Sequence, residues 1–212
     1  MLLESIKFIL MGTYVTVAVI AVALPLGFIF GLLLALVRVY GSPFISRLTS
    51  IYSTVMRGVP PIVLLFLLFF VIAGSINLSP FLAGSLALGI ISSAYQLEIF
   101  RGAILSVSSG QMIAARSIGM SRSKAVLYII LPQALRIAIP PWSNEVSTVI
   151  KDSSLVYALG VAEILRRSQF VAARTYKPML AFSVAALIYF LMTFIANRFL
   201  DEVERRTRIP AH

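Results

Sequence analysis

The chain has 212 residues, 59% of them hydrophobic and 12% charged, with a mean hydropathy of +0.97 and a net charge of +10. A soluble domain carries roughly a quarter charged residues, so this composition belongs to an integral membrane protein. There is no cysteine and the single histidine is the last residue, His212, which excludes disulfides and thiolate metal sites and leaves no metal-ligand set. In such a chain the positive charge reports orientation and attraction to anionic lipid, not nucleic-acid binding.

An apolar helix needs about 20 residues to cross the hydrocarbon layer. The first predicted span runs from about Phe8 to Val37. Ala21-Val22-Ala23 resembles a signal cleavage site, but the apolar run continues past it, so the segment reads as a span. Residues 41–56, GSPFISRLTSIYSTVM, read as an amphipathic helix at the interface that begins after Pro43. Arg57 then reads as a headgroup anchor. Gly58, Pro60 and Pro61 form a predicted break that shapes a pore entrance. The second span is about Val59 to Ala73.

The third span, about Pro80 to Phe100, carries the polar patch Ser92, Ser93 and Tyr95. These residues either pack helices or face a polar cavity. Glu98 and Arg101 are three apart and share a helix face, which suits a local ion pair or a gate latch.

Residues 109–132 are polar and basic in an otherwise apolar chain. Residues 111–118 favour helix and Gly119 ends it; Ser121 caps a second helix starting at Arg122. Leu131-Pro132 marks the entrance to the next span, because proline disfavours helix at the residue before it. The expectation is two short helices meeting at a glycine corner. The small pair Ala114-Ala115 would admit another surface, with Arg116 and Arg122 beside it. A basic loop that only fixes topology is the alternative.

The fourth span is about Leu131 to Ile150, and Pro140-Pro141 interrupts it. Each proline removes a donor and clashes with a carbonyl one turn back, near Arg136 and Ile137. Freed backbone groups survive in a membrane only beside protein or a water-lined cavity. A second half-helix is expected from Trp142, with its positive end toward an anion. It carries Asn144, Glu145, Ser147 and Thr148. A charge at mid-membrane costs about 2.5–3.5 kcal/mol on insertion scales, so Glu145 is a candidate substrate contact. The alternatives are pairing with a neighbouring span or an outer-interface position. Asp152 either caps or pairs with Lys151. The apolar run Leu155–Val161 suggests a partly buried helix before the fifth span, about Pro178 to Phe199.

Five spans put the termini on opposite sides. Twelve cations follow spans one, three and five: Arg38, Arg47, Arg57, Arg101, Arg116, Arg122, Lys124, Arg136, Arg198, Arg205, Arg206 and Arg208. Six lie opposite: Lys7, Lys151, Arg166, Arg167, Arg174 and Lys177. The excess places the C-terminus and the 109–132 loop in the cytoplasm and the N-terminus outside. Residues 1–212 are expected to form a single membrane domain.

The pattern Ala114-Ala115, Gly119 and Ile129-x-Leu131-Pro132 resembles the cytoplasmic loop of permease subunits of ATP-binding-cassette importers. Arg57-Gly58-Val59-Pro60-Pro61, Glu98-Ile99-Phe100-Arg101-Gly102-Ala103, Leu131-Pro132-Gln133-Ala134-Leu135-Arg136 and Lys151-Asp152-Ser153-Ser154-Leu155 resemble the polar amino-acid branch of that family. The family usually has Glu before the two alanines; Ile113 stands there in this chain.

The resemblance implies an all-α fold, the five-helix core of type I importers with cytoplasmic coupling helices. It implies a bacterial inner-membrane permease that imports a polar amino acid; a Glu145 paired with the substrate's ammonium or guanidinium would favour a cationic one. The implied partners are ATPase subunits, a second permease subunit (identical or similar), an external solute-binding protein and the bilayer. In the family the loop docks into a groove of the ATPase, here through Ile113, Ala114, Ala115, Arg116, Gly119, Ser121 and Arg122. No cofactor is expected on this chain; ATP and Mg²⁺ belong to the ATPase. Indeed no GxxxxGK[ST] occurs, and no glycine is followed by lysine.

A permease for another small polar solute, or an ATP-independent channel, is the rival reading. A channel would need a filter or a charge ring, and one acidic residue per subunit makes a weak ring. An intramembrane enzyme is disfavoured because no Ser/His/Asp set, paired metal ligands or HExxH occurs.

Overall fold

A computed structural model describes residues 2–207; Arg208 and His212 lie outside them. The described residues form helices joined by short turns, with no strand among them. In chain order these are α1 (Leu2–Leu10), α2 (Gly12–Tyr40), α3 (Pro43–Gly58), α4 (Pro61–Ile76) and α5 (Pro80–Ser106). They continue as α6 (Ser109–Ser117), α7 (Arg122–Ala125), a π-helical turn (Val126–Ile130) and α8 (Leu131–Asp152). A 3₁₀ segment (Ser153–Leu159), α9 (Ile164–Thr175) and α10 (Pro178–Thr207) complete the order.

Among the described residues, four helical stretches are each long and apolar enough to cross a membrane: Leu3–Tyr40, Pro80–Ser106, Arg122–Leu159 and Pro178–Thr207. The expected second span is α4, whose 16 residues reach about 24 Å at 1.5 Å per residue; together with α3, across a bend of 115°, it makes the fifth candidate. The bend lies at Val59-Pro60, where the backbone is extended before Pro61.

The expected amphipathic helix of residues 41–56 is present as α3, beginning at Pro43. Its inner side packs on α5: Thr49 and Ser53 are buried, and the Tyr52 hydroxyl donates to the Ile90 carbonyl at 2.8 Å, near the middle of α5.

The central pair is α2 against α5. Ala23, Gly27, Gly31 and Ala35 repeat every four residues on one buried face of α2. Between membrane helices there is little hydrophobic driving force, so such small residues let backbones approach and gain dispersion contact. The approach is tight: a Cβ added at Gly31 would lie 2.7 Å from Gln96 Cβ and 3.0 Å from the Leu97 nitrogen. Nothing lies within 4 Å of the same atom at Gly102. Gly31→Ala is therefore expected to cost about 1–3 kcal/mol by forcing α2 from α5. Gly102→Ala should stay within about 0.5 kcal/mol. Thermal unfolding of the two variants in detergent checks the contrast.

Helix α8 packs on α5 through Ala134 and Ala138, which join Ala35, Phe100 and Ile104 in one cluster. Farther along, Val149 joins Val19, Leu65, Ala87 and Leu88.

Two expected breaks are absent. The helix runs unbroken through Leu131-Pro132 and through Pro140-Pro141 to Asp152. Proline can hold helical φ; its penalty is a lost hydrogen bond and a clash four residues back. At Pro132 that position is Tyr128, inside the π-helical turn, whose wider winding relieves the clash. At Pro140 and Pro141 the carbonyls concerned belong to Arg136 and Ile137, and all four residues lie on the exposed face. No half-helix begins at Trp142, so the dipole argument for an anion there fails.

Candidate functional site

Glu145 faces inward from α8 and is buried. Its Oε1 accepts from the Ser92 hydroxyl of α5 at 2.6 Å. Ser92 Oγ in turn accepts from Gln96 Nε2 at 3.0 Å, and Gln96 Oε1 accepts from Trp142 Nε1 at 2.8 Å. The result is a polar chain Glu145–Ser92–Gln96–Trp142 at the centre of the helix bundle. Gly27 makes room for it, since a Cβ there would lie 2.6 Å from Gln96 Nε2.

A cavity of about 10 Å³, the size of a single water, adjoins the chain. Ser92, Tyr95, Glu145, Thr148 and Asp152 line it together with apolar side chains. Two carboxyl groups thus share one small space, where their like charges repel unless a proton or a cation lies between them. Arg57, expected at the headgroups, lies in the last turn of α3 with its side chain exposed.

The expected set divides. Glu145, Ser92, Tyr95 and Thr148 come together. Ser93 turns away: its hydroxyl meets the Tyr52 hydroxyl at 2.6 Å and donates to the Ile90 carbonyl, because one residue along a helix is a 100° rotation. Asn144 lies on the exposed face, where its carbonyl accepts from Thr148 Oγ1 at 3.1 Å. That face also carries Arg136, Pro140 and Pro141. Gln96 is missed by sequence reasoning, while Trp142, read there as a helix start, and Asp152, read as a cap or partner of Lys151, join the cluster. Gln96 stands four residues after Ser92, and Trp142 three before Glu145, so shared-face spacing was the available signal.

Glu98 anchors a second cluster. Arg38 of α2 pairs with it, Arg101 Nε donates at 2.8 Å and the Ser53 hydroxyl donates at 2.7 Å. Arg38 also donates to Ser50 Oγ at 3.1 Å. The Glu98–Arg101 pair is present, and the same carboxylate ties α2, α3 and α5 together.

The 109–121 segment forms a stiff elbow. Ser108 caps α6, and Gly119, at φ +85°, ends it. The Met120 amide donates to the Ala115 carbonyl at 3.1 Å and the Gly119 amide to the Arg116 carbonyl at 3.1 Å, the paired closure that a left-handed residue permits. Ser121 Oγ then accepts from the Lys124 amide at 3.3 Å to start α7. Met112 packs into the Phe100 and Ile130 cluster, and the Arg122 guanidinium lies over the Tyr40 ring at 5.4 Å. The elbow is thereby fixed to the ends of α2, α5 and α8.

The two alanines do not share a role. Ala115 is 4% exposed and packs within the protein, whereas Ala114 and Arg116 face out. The large apolar side chains presented beside them are Ile113, 66% exposed, and Ile118, 79% exposed. Ile118 escaped sequence reasoning because one more apolar residue in an apolar chain carries no signal.

At the other end of α2, Glu163 is buried and caps α9. It accepts from the amides of Leu165 and Arg166 at 2.8 and 2.6 Å and from the Tyr189 hydroxyl at 2.6 Å. Burial raises its carboxyl above the usual range, while those three donors pull it down.

The family described as binding-protein-dependent transport system inner membrane component matches residues 23–209. The L-cystine transport system permease protein TcyB of Bacillus subtilis (strain 168) is 36% identical over 197 residues, 92% of this chain and 84% of that protein. The glutamine transport system permease protein GlnP of Escherichia coli (strain K12) is 32% identical over 208 residues, covering 97% and 95%. A crystal structure of an amino acid ABC transporter with histidines superposes with a TM-score of 0.86 at 34% identity, covering 96% of each chain.

Proposed function

The chain belongs to the family of inner-membrane components of binding-protein-dependent transport systems, and from that premise we propose that it carries a polar amino acid, above all a cationic one, across the bacterial plasma membrane. It is a transport subunit, and ATP hydrolysis is the work of a separate ATPase. Residues 1–212 act as one membrane domain with the N-terminus outside and the elbow and C-terminus in the cytoplasm. The twelve-to-six division of cations supports that orientation.

The observation that carries the substrate reading is the buried Glu145–Ser92 hydrogen bond of 2.6 Å, beside an Asp152 that lines the same cavity. A carboxylate in low dielectric needs a partner. Ser92 supplies one hydrogen bond; the ammonium or guanidinium of a passing amino acid supplies the charge. The relatives named for cystine and glutamine, and the solved amino acid transporter, support a zwitterionic substrate. Thr148, which lines the cavity and donates to the carbonyl of exposed Asn144, carries the path from Glu145 to the edge of α8's exposed face. A second permease subunit, identical or similar, completes the path.

The elbow docks on the ATPase through Ile113, Ala114, Arg116 and Ile118, with Gly119, Ser121 and Arg122 setting its angle. ATP and Mg²⁺ bind that partner. A closure driven there moves α6 and, through the continuous α7–α8 helix, shifts Glu145. The Glu98–Arg38–Arg101 cluster makes α2, α3 and α5 respond as one body, with the Gly58–Pro61 bend as the joint. An external binding protein presents the substrate on the opposite face.

The test is reconstitution in liposomes with the cognate ATPase inside and the binding protein outside. Labelled arginine, histidine, glutamine and cystine would be competed against one another. ATP-dependent uptake led by a cationic amino acid is expected. Flux without ATP, or uptake that no amino acid inhibits, would overturn the reading.

A further inference from the structure

We propose that the cavity between α1, α9 and α10 is a binding site for an anionic phospholipid, whose headgroup meets Arg174 and Lys177. The cavity has a volume of about 800 Å³, within the roughly 300–1,000 Å³ of small-molecule sites. It lies at the membrane face opposite the elbow. Gly12, which begins α2, packs directly on the Ile164 backbone of α9, while Tyr40 at the other end of α2 holds Arg122. The 29 residues between span about 43 Å.

The walls have the two-part chemistry of a lipid. Phe8, Phe170 and Val171 give an apolar floor, and Arg174 and Lys177 stand among the lining residues with Glu4 as the one acid. Two more cations stiffen the aromatic walls. The Arg167 guanidinium lies over the Phe8 ring at 4.8 Å, and Arg166 over Phe170 at 5.0 Å. The local balance is positive, which selects an anionic headgroup over a zwitterionic one.

The surroundings place this mouth at headgroup level. Tyr176, between the two lining cations in sequence, is 90% exposed and ends α9 at a left-handed φ of +54°. Met179 is 82% exposed and Leu3 65%. Exposed aromatic and apolar side chains interleaved with cations mark the membrane–water boundary. A soluble anion would use the cations and leave the apolar floor uncovered; a lipid covers both.

The experiment uses the complete transporter, permease with its ATPase, in a neutral detergent, titrated with short-chain phosphatidylglycerol. Phosphatidylcholine of equal chain length and inorganic phosphate form the comparison arms. Binding is read from the thermal midpoint and from co-purifying lipid by mass spectrometry. Phosphatidylglycerol is expected to stabilise saturably and the other two not.

Arg174→Gln with Lys177→Gln should weaken that binding about 30-fold, from two cations each worth about 1 kcal/mol. Arg174→Lys with Lys177→Arg keeps the charge and should retain it. Arg205→Gln with Arg206→Gln removes equal charge at the far end of α10 and should also retain it. Equal binding by the doubly neutralised variant would overturn the site. So would phosphatidylcholine binding as tightly, or phosphate displacing the lipid. Unchanged lipid binding with lost binding-protein association would instead assign the cations to a protein contact and equally refute the proposal.

Discussion

Ile118→Asp is expected to abolish ATP-driven uptake while the permease still folds and inserts. The side chain is 79% exposed at the end of α6, so the permease alone has little packing to lose. Its stiff backbone is the reason to expect a partner. Capping by Ser108 and Ser121, the closure at Gly119 and the Arg122–Tyr40 contact hold Ile118 and Ile113 outward. Two branched apolar side chains held rigidly in water are an incomplete interface. If the elbow docks on the ATPase as proposed, an aspartate there is buried without a counter-charge. Loss of a well-packed interface residue costs about 2–4 kcal/mol, or about 30- to 1,000-fold in association. Pull-down of the ATPase by tagged permease reads the loss directly. Normal pull-down with normal uptake would remove Ile118 from the contact. Ala115 is a poor probe, because a charge at a buried position breaks the elbow itself and mimics lost docking.

That contrast shows what the chain reveals before it folds. Gly119 was legible because a left-handed closure needs glycine, and Ser121 because an N-cap needs an oxygen at that position. Both requirements are local. Whether Ala114 or Ala115 faces out depends on where Met112 and the ends of α2 and α5 lie, which is not local. The same distinction explains the spans. Helices α5, α8 and α10 cover their expected segments because hydropathy over about 20 residues is a length argument. Helix α4 covers its expected segment as well, but at 16 residues it crosses only together with α3, across the bend at Val59-Pro60. The two prolines of α8 misled for a physical reason: the cost of proline depends on the surroundings of the freed carbonyls, and Arg136 and Ile137 lie on the exposed face. In the site, Glu145 and Ser92 stood out as polar groups in apolar surroundings. Gln96 and Trp142 join them only because α8 packs on α5 and Gly27 of α2 leaves room for the Gln96 side chain. Glu163 stayed hidden because its partner Tyr189 is 26 residues away on another helix.

Glu145→Gln carries the other large effect, and its value lies in selectivity. The amide keeps the volume of the carboxylate, and its Oε1 can still accept from Ser92, so the link from α8 to α5 survives. Only the charge is lost. If that charge pairs with the side chain of a cationic substrate in a water-poor site, its removal costs about 2–5 kcal/mol. Uptake of arginine or histidine⁺ should then fall by at least about 30-fold, whereas glutamine, with no side-chain charge to pair, should change by less than about fivefold. Asp152→Asn should shift selectivity the same way but less, since Asp152 lines the cavity from the end of α8 without a hydrogen bond to Ser92. A uniform fall for every substrate would mean that Glu145 only holds helices together. Unchanged transport in both variants would mean that the path runs elsewhere. The two carboxylates act on one substrate only if the double variant loses little more than Glu145→Gln alone, because groups that bind the same charge are not additive. Competition assays with the four purified proteins — wild type, two single variants and the double — measure that coupling directly.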